Sequence, residues 1–112
     1  MVTIAMDFKQ YDVWVFDPEP AIGHEVMKIR PCVIVSPDDL NAFLATVIIA
    51  PLTSKVRDYP FRPGFKLGKV SGSIMLDQIR CVDKRRLSRK IGALPPKVVE
   101  SVKELFREML VD

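Results

Sequence analysis

The sequence is poor in the residues that build covalent frameworks and metal centres. It has two cysteines, Cys32 and Cys81, and one histidine, His24. Two cysteines cannot form a disulfide scaffold, and they lack the paired spacing of a zinc site. Both fall in apolar, strand-like runs, so both are expected as buried free thiols in a reducing compartment, the cytoplasm. Long hydrophobic runs are also missing. Ala45 to Leu52 falls far short of the roughly 20 residues that cross a bilayer, so no membrane association is expected. Met1 to Lys9 has no long apolar core and no small-residue cleavage site, so no signal peptide is expected. There is no repeat and no low-complexity tract.

What is present describes one folded unit. A chain of 112 residues has room for a single domain over 1–112, and at this size folding buries roughly two-thirds of the unfolded surface. A hydrophobic fraction of 48% with 28% charged residues excludes disorder as the ground state. The net charge is only +3, but it is unevenly spread. Lys55 to Lys90 carries eleven basic and three acidic residues, whereas the first 54 residues carry three basic and seven acidic ones. A surface that meets polyanions has this asymmetry, and so does a solvated face whose charges balance in three dimensions.

Proline and glycine punctuate the chain. Tyr11 to Phe16 alternates and is rich in valine and aromatics, which predicts a strand. Asp17-Pro18-Glu19-Pro20 ends it, and a loop runs through Gly23 to Ile29. Pro31 to Val35 and Thr46 to Ala50 read as buried strands, the second ending near Pro51. Leu40 to Phe43 fits one helical turn. Pro60 to Gly68 suggests short edge segments around turns. Ser73 to Val82 reads as a longer strand with a bulge or bend near Asp77-Gln78. Asp83 to Leu87 is a single helical turn, and Ser88 to Ile91 a last short strand. Pro95-Pro96 stands at a helix start. Val98, Val99, Val102, Leu105, Phe106, Met109 and Leu110 then form the apolar stripe of an amphipathic helix. A run of short strands closed by one helix implies a mainly β fold of the α+β class. The expected form is a small, strongly curved barrel with a helix across it.

Four stretches resemble a known pattern in register. Asp12 precedes a strand that ends at Pro18. The Gly23-His24-Glu25 loop leads to Arg30-Pro31, which opens the next strand. Pro51-Leu52-Thr53-Ser54 follows the third strand. Leu76-Asp77-Gln78-Ile79-Arg80 and Asp83-Lys84-Arg85-Arg86-Leu87 complete the series. The arrangement is similar to that of the MazF/PemK family of toxin endoribonucleases and spans nearly the whole chain. Two departures stand out. That family usually has Gly where this chain has Tyr11, and the loop Gly23 to Lys28 lacks the family's Gln and second Gly.

The resemblance implies an SH3-like small β-barrel with short helical turns and a C-terminal helix. It also implies a homodimer, a cognate antitoxin as partner, and no cofactor or metal. The implied activity is metal-independent cleavage of single-stranded RNA. The ribose 2′-OH attacks its own phosphate and leaves a 2′,3′-cyclic phosphate and a 5′-OH. Such a step needs a proton acceptor, a proton donor for the leaving oxygen, and donors to the charged phosphorane. The match puts Arg30 and Thr53 in the catalytic role. Arg30 brings a planar fork of donors to the phosphate, Thr53 a hydroxyl. Arginine stays protonated and is a poor base, so the base is left open.

The remaining candidates have two readings each. His24 titrates near neutrality and is either a proton-transfer group beside Glu25 or a solvated loop residue. Glu25 and Ser54 are candidate catalytic support or surface groups. Gln78 and Arg80 reach a base or phosphate, or hold the bulge. Trp14 and Phe16 are expected in the core. Tyr59 and Phe61 are the stacking candidates, with Lys55, Arg57 and Arg62 attracting phosphate around them. Two rival functions share the fold: a CcdB-like toxin that binds DNA gyrase, and an inactive relative that only binds its antitoxin.

Overall fold

In the computed structural model, residues 7–18, 29–56 and 58–112 are described. Alternating branched and aromatic residues form β1 (Asp12–Phe16), which pairs antiparallel with β2 (Arg30–Ile34) on one edge. A short helix, α1 (Asp38–Phe43), leads from β2 to β3 (Thr46–Thr53). A hairpin of β4 (Gly64–Leu67) and β5 (Val70–Ile74) turns at Gly68, whose φ of +60° suits glycine. A 3-10 turn, Leu76–Gln78, separates β5 from β6 (Arg80–Asp83). A second such turn, Lys84–Arg86, is capped by Asp83, whose carboxylate accepts from the Arg85 N–H, and leads to β7 (Leu87–Ala93). Helix α2 (Pro96–Phe106) starts with Pro96 in its first turn and runs into a wider terminal turn, Arg107–Val111.

The strands make one curled antiparallel half-barrel in the order β4-β5-β3-β2-β1-β7, with β6 also on β3. The expected long strand Ser73 to Val82 is therefore two strands. β6 pairs with Thr46 to Ile49, and β5 pairs with Leu52 and Thr53. β3 also runs past Pro51 rather than ending there. Pro51 falls where β3 changes partner, an interval that accommodates a residue without an N–H.

The inward-outward alternation of side chains gives the sheet two cores. One gathers Val13, Val33, Ala50, Leu52, Phe65, Ile74 and Val102, with the stripe of α2 packed on it. The other gathers Trp14, Phe16, Cys32, Ile34, Val47, Ile49, Val82 and Leu87. Along β3 the phase of alternation flips between Ile49 and Ala50, both buried, just where the strand changes partner. Each such fully buried aliphatic contributes about 1.5–3 kcal/mol. Trp14 and Phe16 are core residues, as expected.

Two further expectations are corrected. Cys32 is buried, but Cys81 is exposed, because it lies on β6 one residue from the inward-facing Val82. The apolar stripe of α2 is packed as far as Met109, whereas Leu110 is 62% exposed.

Tyr11 accounts for one departure from the family pattern. Its φ is +69°, the left-handed region that favours glycine and costs other residues about 1–2 kcal/mol. The conformation lets its N–H donate to the Ile34 carbonyl while its own carbonyl accepts from Leu94. Its ring packs against the first core, which offsets the strain. Burial, with the Glu100 carboxylate nearby, pushes its phenol pKa up.

Candidate active site

The end of β3 organises the site. Thr53 is the last residue of the strand and half-buried. The Lys55 N–H donates to Thr53 Oγ1 (3.2 Å), so the hydroxyl also holds the turn Ser54-Lys55. The buried Ser73 Oγ donates to the Lys55 carbonyl (2.9 Å), tying the same turn to β5. Gly72 lets the two strands approach. A Cβ there would sit 1.8 Å from the Thr53 carbonyl oxygen, so no side chain fits without moving the Thr53 backbone.

Thr53 opens into a groove of about 580 Å³ that also takes in Arg30, Pro31, Ser54, Lys55, Ser71 and Arg89. Arg30 is the first residue of β2 and exposed, so its guanidinium is free to turn into the groove. Apolar side chains line the rest, including Val15, Leu52 and Phe65. Ile29, Val70 and Ile91, which are 63%, 39% and 39% exposed, lie there too. No carboxylate lines it among the described residues. The result is an apolar trough edged by cations and hydroxyls, suited to an anionic ligand that also carries flat apolar faces.

Four candidates thus meet in one place: Arg30, Thr53, Ser54 and Lys55. Others lie elsewhere. Arg62 makes a two-pronged salt bridge to Asp77, with both bonds at 2.9 Å. Its guanidinium also lies 4.9 Å from the Tyr59 ring centre. That pairing holds the Asp77 carboxyl below the usual carboxylate range and raises the Arg62 pKa. Phe61 is half-buried against the first core, at a φ of +61°. Gln78 is exposed on its 3-10 turn, and Arg80 lies 5.5 Å from the ring centre of Phe16. None of these five lines the groove. His24, Glu25 and Arg57 lie outside the described residues. Arg89 was not singled out from the sequence. It stands in a strand-like run with nothing to mark it, and only the pairing of β7 with β1 brings it to the groove.

Fold and groove together define a class: a curled half-barrel with one C-terminal helix and a cationic trough where its shared strand ends. A sequence profile described as PemK-like, MazF-like toxin of type II toxin-antitoxin system matches residues 9–110. Endoribonuclease EndoA of Bacillus subtilis is 32% identical over 111 residues, covering 91% of this chain and 93% of the relative. Endoribonuclease MazF of Staphylococcus saprophyticus is 36% identical over 98 residues, covering 81% of each. Among solved structures, a MazE–MazF crystal structure from Deinococcus radiodurans superposes with a TM-score of 0.83 at 25% identity, covering 95% of this chain and 97% of that one. The chain belongs to the PemK/MazF toxin family.

Proposed function

We propose that this chain is an endoribonuclease that cuts single-stranded RNA within the groove, by attack of a ribose 2′-OH on the adjacent phosphorus. The bond from phosphorus to the 5′-oxygen breaks, leaving a 2′,3′-cyclic phosphate and a 5′-OH. The observation that carries this reading is the convergence of Arg30, Thr53 and Lys55 on one trough with no carboxylate among its described lining residues. Arg30 stabilises the charge that builds on the phosphorane, and the Thr53 hydroxyl donates to one of its oxygens. With Lys55 beside them, no bound metal is required to neutralise the phosphate. Thr53 is well placed for this, because its hydroxyl accepts from the Lys55 N–H and so has its own proton to give. Glu25 and His24 are the candidates for the proton acceptor. Ser54 supports the oxyanion, and Arg57, Tyr59, Phe61, Gln78 and Arg80 bear on the flanks of the strand, while Arg62 stays with Asp77. The working form is a homodimer, held inactive by a cognate antitoxin, in the cytoplasm.

The experiment is cleavage of a mixed RNA by the purified protein, with the ends mapped in the presence and absence of EDTA. Cyclic phosphate ends and indifference to chelation are expected. Strict dependence on Mg²⁺, or intact RNA beside inhibited DNA gyrase, would replace this reading.

A further inference from the structure

We propose that Arg89 binds a second phosphate of the RNA strand, neighbouring the scissile one, and so fixes the register in which substrate lies across the groove. This rests on the endoribonuclease reading above.

The placement follows from the sheet. Val15 of β1 pairs with Pro31 of β2 on one side and with Arg89 of β7 on the other. Arg89 therefore stands two strand spacings, roughly 10 Å, from the start of β2 that carries Arg30. Val15 and Ile91 lie in the same wall of the groove. Two guanidinium groups separated by an apolar wall suit two successive anions spanned by a sugar and base.

The charge pattern supports this. Several cations of the basic half are already engaged. Arg62 is held by Asp77, Arg85 by Asp83 and Lys90 by the buried Asp12. Lys84 donates to the Asn41 carbonyl and lies over the Phe8 ring, and Arg80 lies over Phe16. Arg89, next in sequence to the engaged Lys90, has no carboxylate partner among the described residues and lines the groove. Lys66 and Lys69 do not line it. A guanidinium left without a carboxylate beside a trough is a ready donor for phosphate, and its fork favours two-pronged binding over the point charge of lysine.

The test uses an RNA whose cleavage site has been mapped with the wild-type protein. The nucleotide that supplies the attacking hydroxyl is made 2′-deoxy, and a neutral methylphosphonate replaces each phosphate in turn. Binding is measured for wild type, Arg89→Gln and Arg89→Lys between 50 and 200 mM salt, with Lys66→Gln as control. Arg89→Gln is expected to bind the unmodified strand roughly tenfold more weakly. Its salt slope falls by about 0.7 for one lost phosphate contact on a single strand. The methylphosphonate penalty disappears at one position next to the scissile phosphate. Arg89→Lys recovers part of the affinity. Single-turnover cleavage of normal RNA at saturation stays within about threefold of wild type, which separates binding from chemistry. An unchanged penalty profile in Arg89→Gln overturns the proposal, and so does loss of the penalty only at the scissile phosphate. Wild-type protein that neither binds nor cuts RNA overturns the function itself; intact wild-type cleavage with an unaltered Arg89→Gln profile removes only the role of Arg89.

Discussion

The cations of the chain divide into two populations, and they behave as different kinds of surface. On the outer surface, arginines and lysines sit against carboxylates: Arg62 on Asp77, Arg85 on Asp83, Lys90 on Asp12. In the groove, Arg30, Lys55 and Arg89 converge without a carboxylate among the described lining residues. Summed along the sequence, both populations count alike. In three dimensions the paired ones have spent most of their field on their neighbours, while the groove keeps its own. A polyanion is therefore located by the cations left unneutralised rather than by the local charge total. The lone case, among the described residues, of a carboxylate drawn inward follows the same logic. Asp12 is buried, with Lys90 Nζ 3.1 Å from its Oδ2, an ion pair whose geometry falls short of a hydrogen bond.

The largest expected contrast is catalytic. Arg30→Ala or Thr53→Ala should lower RNA cleavage about 100- to 1000-fold with little change in Tm, as loss of a donor to the phosphorane does. Arg85→Gln, on the outer surface, should leave the rate unchanged. Equal losses in all three would erase the distinction between the two populations.

Gly72→Ala attacks the groove from its backbone. The new methyl group must push the Thr53 carbonyl away, and overpacking of this kind costs about 1–3 kcal/mol. Cleavage should fall by more than the lost folded fraction explains, measured as activity per folded molecule from a denaturant titration. Lys55→Gln and Arg62→Gln compare the populations directly. The first should reduce the salt slope of RNA binding by about 0.7, and the second should leave it unaltered. A matching drop for Arg62→Gln would mean that RNA displaces Asp77 from its partner.

The smallest effect is on acid stability. The Asp77 carboxyl sits below its ordinary value of 3.8 because Arg62 bonds its charged form. A depressed carboxylate pKa contributes stability that is complete above the unfolded value and lost as pH falls through the folded one. The Tm gap between wild type and Arg62→Gln, about a few degrees at most, should hold from pH 7 to about pH 4 and close below that. Lys55→Gln should show no such closing gap.

Much of this organisation was legible in the sequence, for identifiable reasons. The period of Val98 to Met109 and the two prolines before it place α2 without help from the rest of the fold. Alternation in Tyr11 to Phe16 does the same for β1. The motif register pointed to Arg30 and Thr53, and the structure brings both to one groove together with Ser54 and Lys55. What escaped depends on pairing across distance. Arg62 reads as a free cation until Asp77, fifteen residues on, folds against it. Arg89 reads as one more charge in a strand until β7 settles beside β1. Cys81 reads as apolar filling because nothing local says that β6 turns that face outward. Tyr11 reads as an arbitrary replacement until its backbone angle shows why glycine is the usual occupant.

The way β3 is shared has a kinetic consequence. Thr46 to Ile49 pair with β6 and Ile49 to Pro51 with β2, but its last two residues are gripped on one side only by the β4–β5 hairpin, through Leu52↔Ile74 and Thr53↔Ser73. So short a ladder is a natural place for subglobal opening, in which the hairpin lifts and takes Phe65 and Ile74 out of the first core while the second core stays shut. The Met75 amide, which donates to the Pro51 carbonyl of β3, would then exchange with solvent well before those of Val33 or Ile49. Mild denaturant would silence the groove at concentrations where the fluorescence of Trp14 in the second core is still unchanged, so that the protein goes quiet before it unfolds.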